Sequence, residues 1–150
     1  LLKNEFHHMN IKEKHKATLQ GGILNKRWDL LAYNNKKEFA FEFKSILSSR
    51  FGRNYSSRVE EAIGVGYDAK ARNKKAKLGY LIVLENDDNN SSKFHDKINI
   101  FCNSIVNDYK IYNSALAIEI TGAEWKYLFN DYKKFIDKFY QNSIFDLLGI

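Results

Sequence analysis

The order of predicted elements indicates an α/β domain built on a mixed β-sheet with helices on both faces. Two short apolar strands at 28–33 and 38–46 flank a polar turn, as in a β-hairpin. A continuous apolar run at 79–85 is typical of a strand buried on both faces. After the hairpin, strands alternate with helical periodicities. Together these observations predict the order helix, two or three strands, helix, strand, helix, strand and helix.

The other elements follow from local patterns. Apolar residues with a weak helical periodicity predict a helix within 1–17, and Gln20-Gly21-Gly22 indicates a break in secondary structure. Ser57 and Glu60 form a capping-box pattern, so we expect a helix to begin at Ser57 after a loop at 48–56. Gly64 and Gly66 in that helix suggest close packing. The later predictions are a helix at 94–109, a strand at 115–120 and a long amphipathic helix at 125–139.

Composition limits the kind of protein this can be. The chain has 150 residues, 44% of them hydrophobic and 15% aromatic, which predicts one domain, 1–150, with a real core. The net charge of +6 favours an anionic partner, nucleic acid before a membrane surface. Cys102 is the single cysteine, so no internal disulfide can form, and a buried thiol in a reducing cytoplasm is expected. No apolar run has the length of a membrane span.

The hairpin carries three residues that suggest chemistry. Side chains of a strand alternate between its faces, so Glu42 and Lys44 point one way while Phe41 and Phe43 point the other. If the strands pair across the turn, Asp29 comes near Glu42. Two carboxylates and an ammonium then converge on one spot.

Such a group can hold a hard cation and hydrolyse a phosphodiester. Asp29 and Glu42 would bind Mg²⁺, with the carbonyl oxygen of Phe43 as a third ligand. Lys44 would orient the attacking water or stabilise negative charge in the transition state. Whether one or two metal ions act stays open. The alternative is an ordinary strand edge on which Glu and Lys serve solubility.

Residues after the second strand could contact DNA. Arginine can bind guanine and asparagine can bind adenine in the major groove, which makes Arg50, Arg53, Asn54 and Arg58 the candidates for DNA contact. A solvated basic loop is the alternative. Glu61 could orient Lys44 or a metal-bound water.

The chain resembles the XhoI-type restriction endonucleases, which belong to the PD-(D/E)xK nuclease superfamily. The resemblance runs from about Gly21 to Phe129. The motifs that carry it are Asn-Lys-Arg-Trp-Asp-Leu-Leu at 25–31, Phe-Glu-Phe-Lys-Ser at 41–45, the Phe-Gly-Arg-Asn segment running into Arg-Val-Glu-Glu-Ala-Ile-Gly at 51–64, and Leu-Gly-Tyr at 78–80.

The resemblance implies a restriction-endonuclease-like fold, an α/β mixed β-sheet flanked by helices with an αβββαβ core. It implies Asp29, Glu42 and Lys44 as the catalytic set and Mg²⁺ as cofactor. It also implies a homodimer that cuts double-stranded DNA at a palindrome, CTCGAG in the best-known members, within a restriction-modification system. Family members are longer at the N-terminus, so an N-terminal portion is expected to be missing here. Some nucleases of the superfamily add a helix carboxylate to the site, and Glu5 or Glu13 could supply it.

The chain departs from the family pattern at several positions. Ile46 stands where relatives carry Gln, and Arg53 and Ser57 stand where they carry Asn. These departures bear on the target sequence and on activity. Two alternatives therefore stay open: a structure-selective resolvase or repair nuclease on the same fold, and a catalytically inactive DNA-binding protein.

Overall fold

A computed structural model describes residues 12–33 and 38–138 and shows one six-stranded sheet. The strands lie side by side in chain order. They are β1 (Lys12–Gln20), β2 (Asn25–Tyr33), β3 (Glu38–Leu47), β4 (Lys77–Glu85), β5 (Ser114–Thr121) and β6 (Glu124–Phe129).

The sheet is mixed, as the sequence predicts. β1, β2 and β3 pair antiparallel, and the β2–β3 register places Leu30 opposite Phe41. β3, β4 and β5 pair parallel, which places Glu42 beside Tyr80. β6 returns antiparallel to β5. The predicted hairpin pairing of the second and third strands is therefore confirmed.

Helices cover both faces of this sheet. The long helix α1 (Phe51–Arg72) and the shorter α2 (His95–Asn103), extended by a π-helical turn at Ser104–Asp108, pack on one face. The helical residues 132–138, here α3, lie on the other face, where Phe135 packs against Phe41. Two 3₁₀ turns, Ser48–Arg50 and Ser91–Phe94, lead into α1 and α2.

The N-terminal helix prediction is wrong over the described part of that segment, since residues 12–20 form β1. The strand pairs with β2 along nearly its whole length. Its polar sequence gives little alternation, and the backbone hydrogen bonds to a partner strand are what stabilise it. Residues 1–11 of the prediction lie outside the described residues.

Helix α1 begins at Phe51, six residues before the predicted start. Phe51 is buried, and its ring stacks on Phe94 with centroids 3.9 Å apart and on Tyr55 at 4.8 Å. This packing extends the helix through the Gly/Asn/Ser segment that composition assigns to a loop. Arg50 is the N-cap residue and makes no side-chain capping bond, so the predicted cap at Ser57 does not form.

The long C-terminal helix prediction is wrong in its first half. Glu124–Phe129 is strand β6, and its Trp125 and Tyr127 side chains are 58% and 41% exposed. The predicted helix is confirmed over 132–138, where Phe135 and Ile136 are buried. Aromatic residues fit both patterns, and only pairing with β5 distinguishes them.

The β1–β2 hairpin folds over α1. Trp28 packs in the core cluster beneath α1, whereas Leu30, two residues on, packs in the cluster on the opposite face. The alternation of β2 is therefore broken at Asp29, and pairing with β3 extends only as far as Leu30. The hairpin turn is fixed to α1 because the Asp68 carboxylate accepts backbone N–H bonds from Ile23 and Leu24, at 2.6 and 3.0 Å.

Two smaller expectations can be checked directly. Cys102 is buried, and burial raises the pKa of its thiol. Among the described residues, no helix is long and apolar enough to cross a membrane.

The two glycines of α1 should respond oppositely to alanine. A Cβ at Gly66 would lie 2.3 Å from Cγ2 of Ile111, so Gly66→Ala should lower the free energy of unfolding by about 1–3 kcal/mol. Gly64 is exposed with nothing within 4 Å, so Gly64→Ala should raise it by up to about 1 kcal/mol. Urea denaturation of both variants measures this. Equal effects would contradict the packing role of Gly66.

Candidate active site

Glu42 lies at the centre of the candidate site. It sits on β3 on the face covered by α1, and only 3% of the residue is exposed. Its neighbour Phe41 is buried on the opposite face, against Leu30 and Phe135. The predicted alternation along β3 is therefore confirmed.

The Asp29 side chain contacts the backbone of β3. One oxygen of its carboxylate, Oδ2, accepts a hydrogen bond of 2.9 Å from the Phe43 N–H. This bond places the Asp29 carboxylate beside the peptide that joins Glu42 to Phe43. The break in the alternation of β2 at Asp29 permits it, since the side chain can turn toward the neighbouring strand where the regular pairing stops.

Lys44 joins Glu42 to helix α1. Its Nζ lies 2.5 Å from Oε1 of Glu42 and 3.0 Å from Oε1 of Glu61. Burial, the largest single influence, would lower the pKa of Lys44. The hydrogen bonds to the two carboxylates outweigh burial and raise that pKa above its ordinary value. Lys44 is therefore protonated at neutral pH.

Glu61 is the second carboxylate of this network. Besides Lys44, it pairs with Arg58 one turn earlier on α1, at 3.0 Å. Burial would raise the pKa of Glu61, but its bonds to Lys44 and Arg58 and the nearby Lys26 charge lower it below the ordinary value. The predicted contact between Glu61 and Lys44 is thus present.

Lys26 also belongs to this network, although the sequence pattern assigns it no role. Its Nζ lies 2.9 Å from Oε1 of Glu42 and 3.6 Å from Oε1 of Glu61. The available signal was its position three residues before Asp29 in the same motif. Strand spacing could not reveal the contact, because it depends on the folding of the hairpin over α1.

Tyr80, from the Leu-Gly-Tyr motif at 78–80, is a further neighbour to which the sequence pattern assigns no role. It pairs beside Glu42 on β4, and its hydroxyl is buried without a hydrogen-bond partner among the described residues. Burial, with the nearby charges of Glu61 and Glu42, raises the pKa of Tyr80. The hydroxyl is therefore neutral and forms an uncharged wall beside the carboxylate.

The donor set fits a magnesium ion. Oε2 of Glu42 is buried and has no hydrogen-bond partner among the described residues, although both lysines bind the other oxygen. No cluster of three or more His, Cys, Asp or Glu ligands occurs within 12–33 and 38–138. Mg²⁺ is usually held by one or two carboxylates plus substrate phosphates, so Asp29 and Glu42 suffice.

The predicted DNA-binding residues lie on α1 and just before it. Arg50 and Arg53 are exposed and Asn54 is half-buried, and their spacing of three and four residues places them on one side of the helix start. Arg58 differs, because it is half-buried and paired with Glu61. Their contact with DNA stays a prediction.

The predicted N-terminal carboxylate falls largely outside the structure. Glu5 lies outside the described residues. Glu13 is on strand β1, opposite Ala32, and so is not the helix residue that the prediction requires.

A six-stranded mixed sheet flanked by helices is consistent with a restriction-endonuclease-like fold, and two acids and a lysine lie close together on β2 and β3. A family model supports this assignment. The model described as restriction endonuclease XhoI matches residues 1–110, which is more than half of the chain. The chain therefore belongs to the XhoI restriction endonuclease family.

Two curated proteins are similar to the chain. The type II restriction enzyme AbrI of Azospirillum brasilense is 31% identical over 93 residues, 55% of this chain and 42% of that protein. The type II restriction enzyme XhoI of Xanthomonas vasicola is 38% identical over 71 residues, 46% of this chain and 29% of that protein. The matches thus span less than half the length of these relatives. No solved structure matches the chain significantly.

Glu61→Gln should lower the pKa of Lys44, because the substitution removes one of the two carboxylates that raise it. A raised pKa contributes stability that is complete below the ordinary lysine value of about 10.4 and is lost as pH rises through the folded value. At neutral pH the variant should therefore have a lower free energy of unfolding than the wild type. At a pH above the folded pKa of Lys44 this difference should be smaller, because the wild type has then lost the same stabilisation. NMR titration of the lysine ε-CH₂ groups measures the pKa directly.

The matched control for this titration is Glu60→Gln. Glu60 is the preceding residue of α1 and is exposed. An unchanged Lys44 titration in Glu61→Gln, or an equal change in Glu60→Gln, would show that Glu61 does not govern Lys44.

Proposed function

We propose that this chain is the DNA-cleaving portion of a Mg²⁺-dependent type II restriction endonuclease. The observation that carries the proposal is the convergence of Asp29, Glu42 and Lys44, with one buried oxygen of Glu42 left without a partner among the described residues. Membership of the XhoI restriction endonuclease family supports it. The positive net charge of +6 suits a phosphate backbone.

Asp29 and Glu42 would hold the metal, with the Phe43 carbonyl oxygen as the further ligand expected from sequence. A bound Mg²⁺ supplies Lewis-acid polarisation of the phosphate and a lower pKa for a bound water. Glu42 is suited to this because its carboxylate is buried and held on one side by the sheet. Tyr80 and the core beneath α1 keep water from its other side.

Lys44 would act as a fixed positive charge. Since its pKa is raised, it remains protonated at the pH of the reaction and is unsuited to accept a proton from water. It can instead stabilise the charge that develops on the phosphoryl oxygens, or orient the attacking water through its N–H donors. Glu61 would hold Lys44 in place, which is the supporting role expected from sequence.

The start of α1 would contact the DNA. Arg50 and Arg53 are exposed cations at the helix end where the backbone N–H groups favour an anion. Asn54 lies beside them and could read a base edge. Arg58 is paired with Glu61, so its main role would be to hold Glu61 in place, with DNA contact secondary.

The assembly and target belong to the same proposal. Type II enzymes that cut palindromes match the two-fold symmetry of their sites, so the proposed form is a homodimer on double-stranded DNA. The proposed target is CTCGAG, the site of the best-known members. Action in the cytoplasm alongside a modification enzyme completes the proposal.

Substitution of the metal-binding acids should abolish cleavage and spare DNA binding. Asp29→Asn and Glu42→Gln are each expected to lower the rate of plasmid cutting with Mg²⁺ by at least about 100-fold, because each removes an oxygen charge that holds the cation. Glu60→Gln should cut at the wild-type rate. The assay compares plasmids with and without CTCGAG and maps the ends of the fragments.

The outcomes of that digestion separate the alternatives. Discrete fragments from a plasmid that lacks CTCGAG would overturn the proposed target sequence and still support site-specific cleavage. Preferential cutting of branched DNA over linear duplex would select a resolvase or repair nuclease. Duplex that is fully bound but intact with Mg²⁺ would select the inactive DNA-binding protein.

Removing Arg50 or Arg53 should weaken DNA binding in a salt-dependent way. If each contacts one phosphate, each alanine variant should reduce the slope of log K against log salt by about 1. Fluorescence anisotropy across a salt series measures the slope. The control is Lys133→Ala, an exposed cation on α3 at the opposite face of the sheet. A slope unchanged in the arginine variants, or reduced equally in the control, would exclude this end of α1 from the interface.

A further inference from the structure

Two lysines compete for the same carboxylate oxygen. Lys26 and Lys44 both lie within 3 Å of Oε1 of Glu42, at 2.9 and 2.5 Å. Both also lie near Oε1 of Glu61, at 3.6 and 3.0 Å. The two ammonium groups therefore bridge the same pair of oxygen atoms, one approaching from β2 and the other from β3.

The charges around Glu42 balance before any cation binds. Lys26, Lys44 and Arg58 supply three positive charges. Asp29, Glu42 and Glu61 supply three negative charges. A divalent cation on Asp29 and Glu42 would add two positive charges to a partly buried group, where like charges repel more strongly than in water. One of the ammonium groups must then move away from Glu42.

Lys26 is the group that can move. It is the more exposed of the two, with 23% of its side chain accessible against 16% for Lys44. It also makes the longer ion pairs, 2.9 Å to Glu42 and 3.6 Å to Glu61, against 2.5 and 3.0 Å for Lys44. Lys44 is held more closely, because it makes the shorter ion pair with each carboxylate.

We propose that Lys26 is a positioning residue that occupies Glu42 in the metal-free protein and transfers to Glu61 when a divalent cation binds. The inference rests on the metal site of the proposed function. Glu61 can receive Lys26 because the two groups are already within ion-pair range, at 3.6 Å. Arg58 holds Glu61 from the other side through Oε2, so Oε1 remains directed at the lysines. Lys26 thereby lowers the affinity of the site for a divalent cation, and Glu61 limits that decrease by accepting Lys26.

The test measures Mn²⁺ binding by isothermal titration calorimetry on the full chain, without DNA. Lys26→Met should bind Mn²⁺ more tightly than wild type by a factor in the range of about 5 to 150 that is typical of coupled sites. Lys26→Arg keeps the charge and should bind near the wild-type affinity. Lys133→Met, a distant exposed lysine, is the control for net charge. Thermal melts in EDTA show whether each variant is folded.

A double-mutant cycle tests the transfer to Glu61. Glu61→Gln should weaken Mn²⁺ binding, because Lys26 then has no second carboxylate. In the Lys26→Met background, the same substitution should have little further effect. A Glu61→Gln effect that persists at full size in that background would overturn the transfer and assign the effect to Lys44.

The remaining outcomes separate the inference from the proposed function. Wild-type Mn²⁺ affinity in folded Lys26→Met overturns the competition while leaving the metal site in place. Absence of Mn²⁺ binding in wild type and all variants overturns the metal-dependent function itself. If Lys26→Met does not fold, Lys26→Gln provides the same charge removal.

Discussion

The burial of one carboxylate, Glu42, governs the arrangement of the residues around it. A charged group that is almost fully removed from water is stable only when partners compensate its lost hydration. Lys44 from the same strand and Lys26 from the neighbouring one supply that compensation. Each of these lysines also forms an ion pair with Glu61, so the four side chains form one network of charges.

The fold provides this network through one helix. Ala62, Gly66 and Ala69 are buried and bring α1 close to the sheet, while Glu61 faces the charges. Small residues on the packed side let the backbone approach, and the polar side of the same helix then reaches β3. Packing and chemistry thus depend on the same helix.

Much of the site could be predicted from sequence, because strand alternation is a local rule. The orientation of Glu42, Lys44 and Phe41 follows from period two alone, and the β2–β3 pairing follows from the hairpin pattern. Lys26 could not be predicted this way. Its contact requires β2 to separate from β3 at Asp29, while α1 holds the β1–β2 turn through Asp68.

The helix boundaries show the same division between local and tertiary causes. Phe51 starts α1 early because the ring of Phe94, more than forty residues away in sequence, stacks on it together with Tyr55 of the same helix. A window of neighbouring residues does not contain the Phe94 contact. Glu124–Phe129 carries an apolar spacing compatible with a helix, and pairing with β5 decides for a strand. In both cases the pattern within one element did not determine its structure, and the contact with a second element did.

The attachment of the hairpin turn to Asp68 has a consequence for how this domain can vary in length. Glu61 and Asp68 are seven residues apart, close to two full turns, so both project from the same side of α1. One extra residue between them would rotate one by about 100° relative to the other and separate the turn from the charges. The spacing within α1 is therefore fixed by geometry. The segment at 86–90 is constrained as well, because Asp87 and Asp88 accept hydrogen bonds from Ser48 and Ser49, which join β3 to α1. An insertion there would loosen the junction that sets α1 against Glu42.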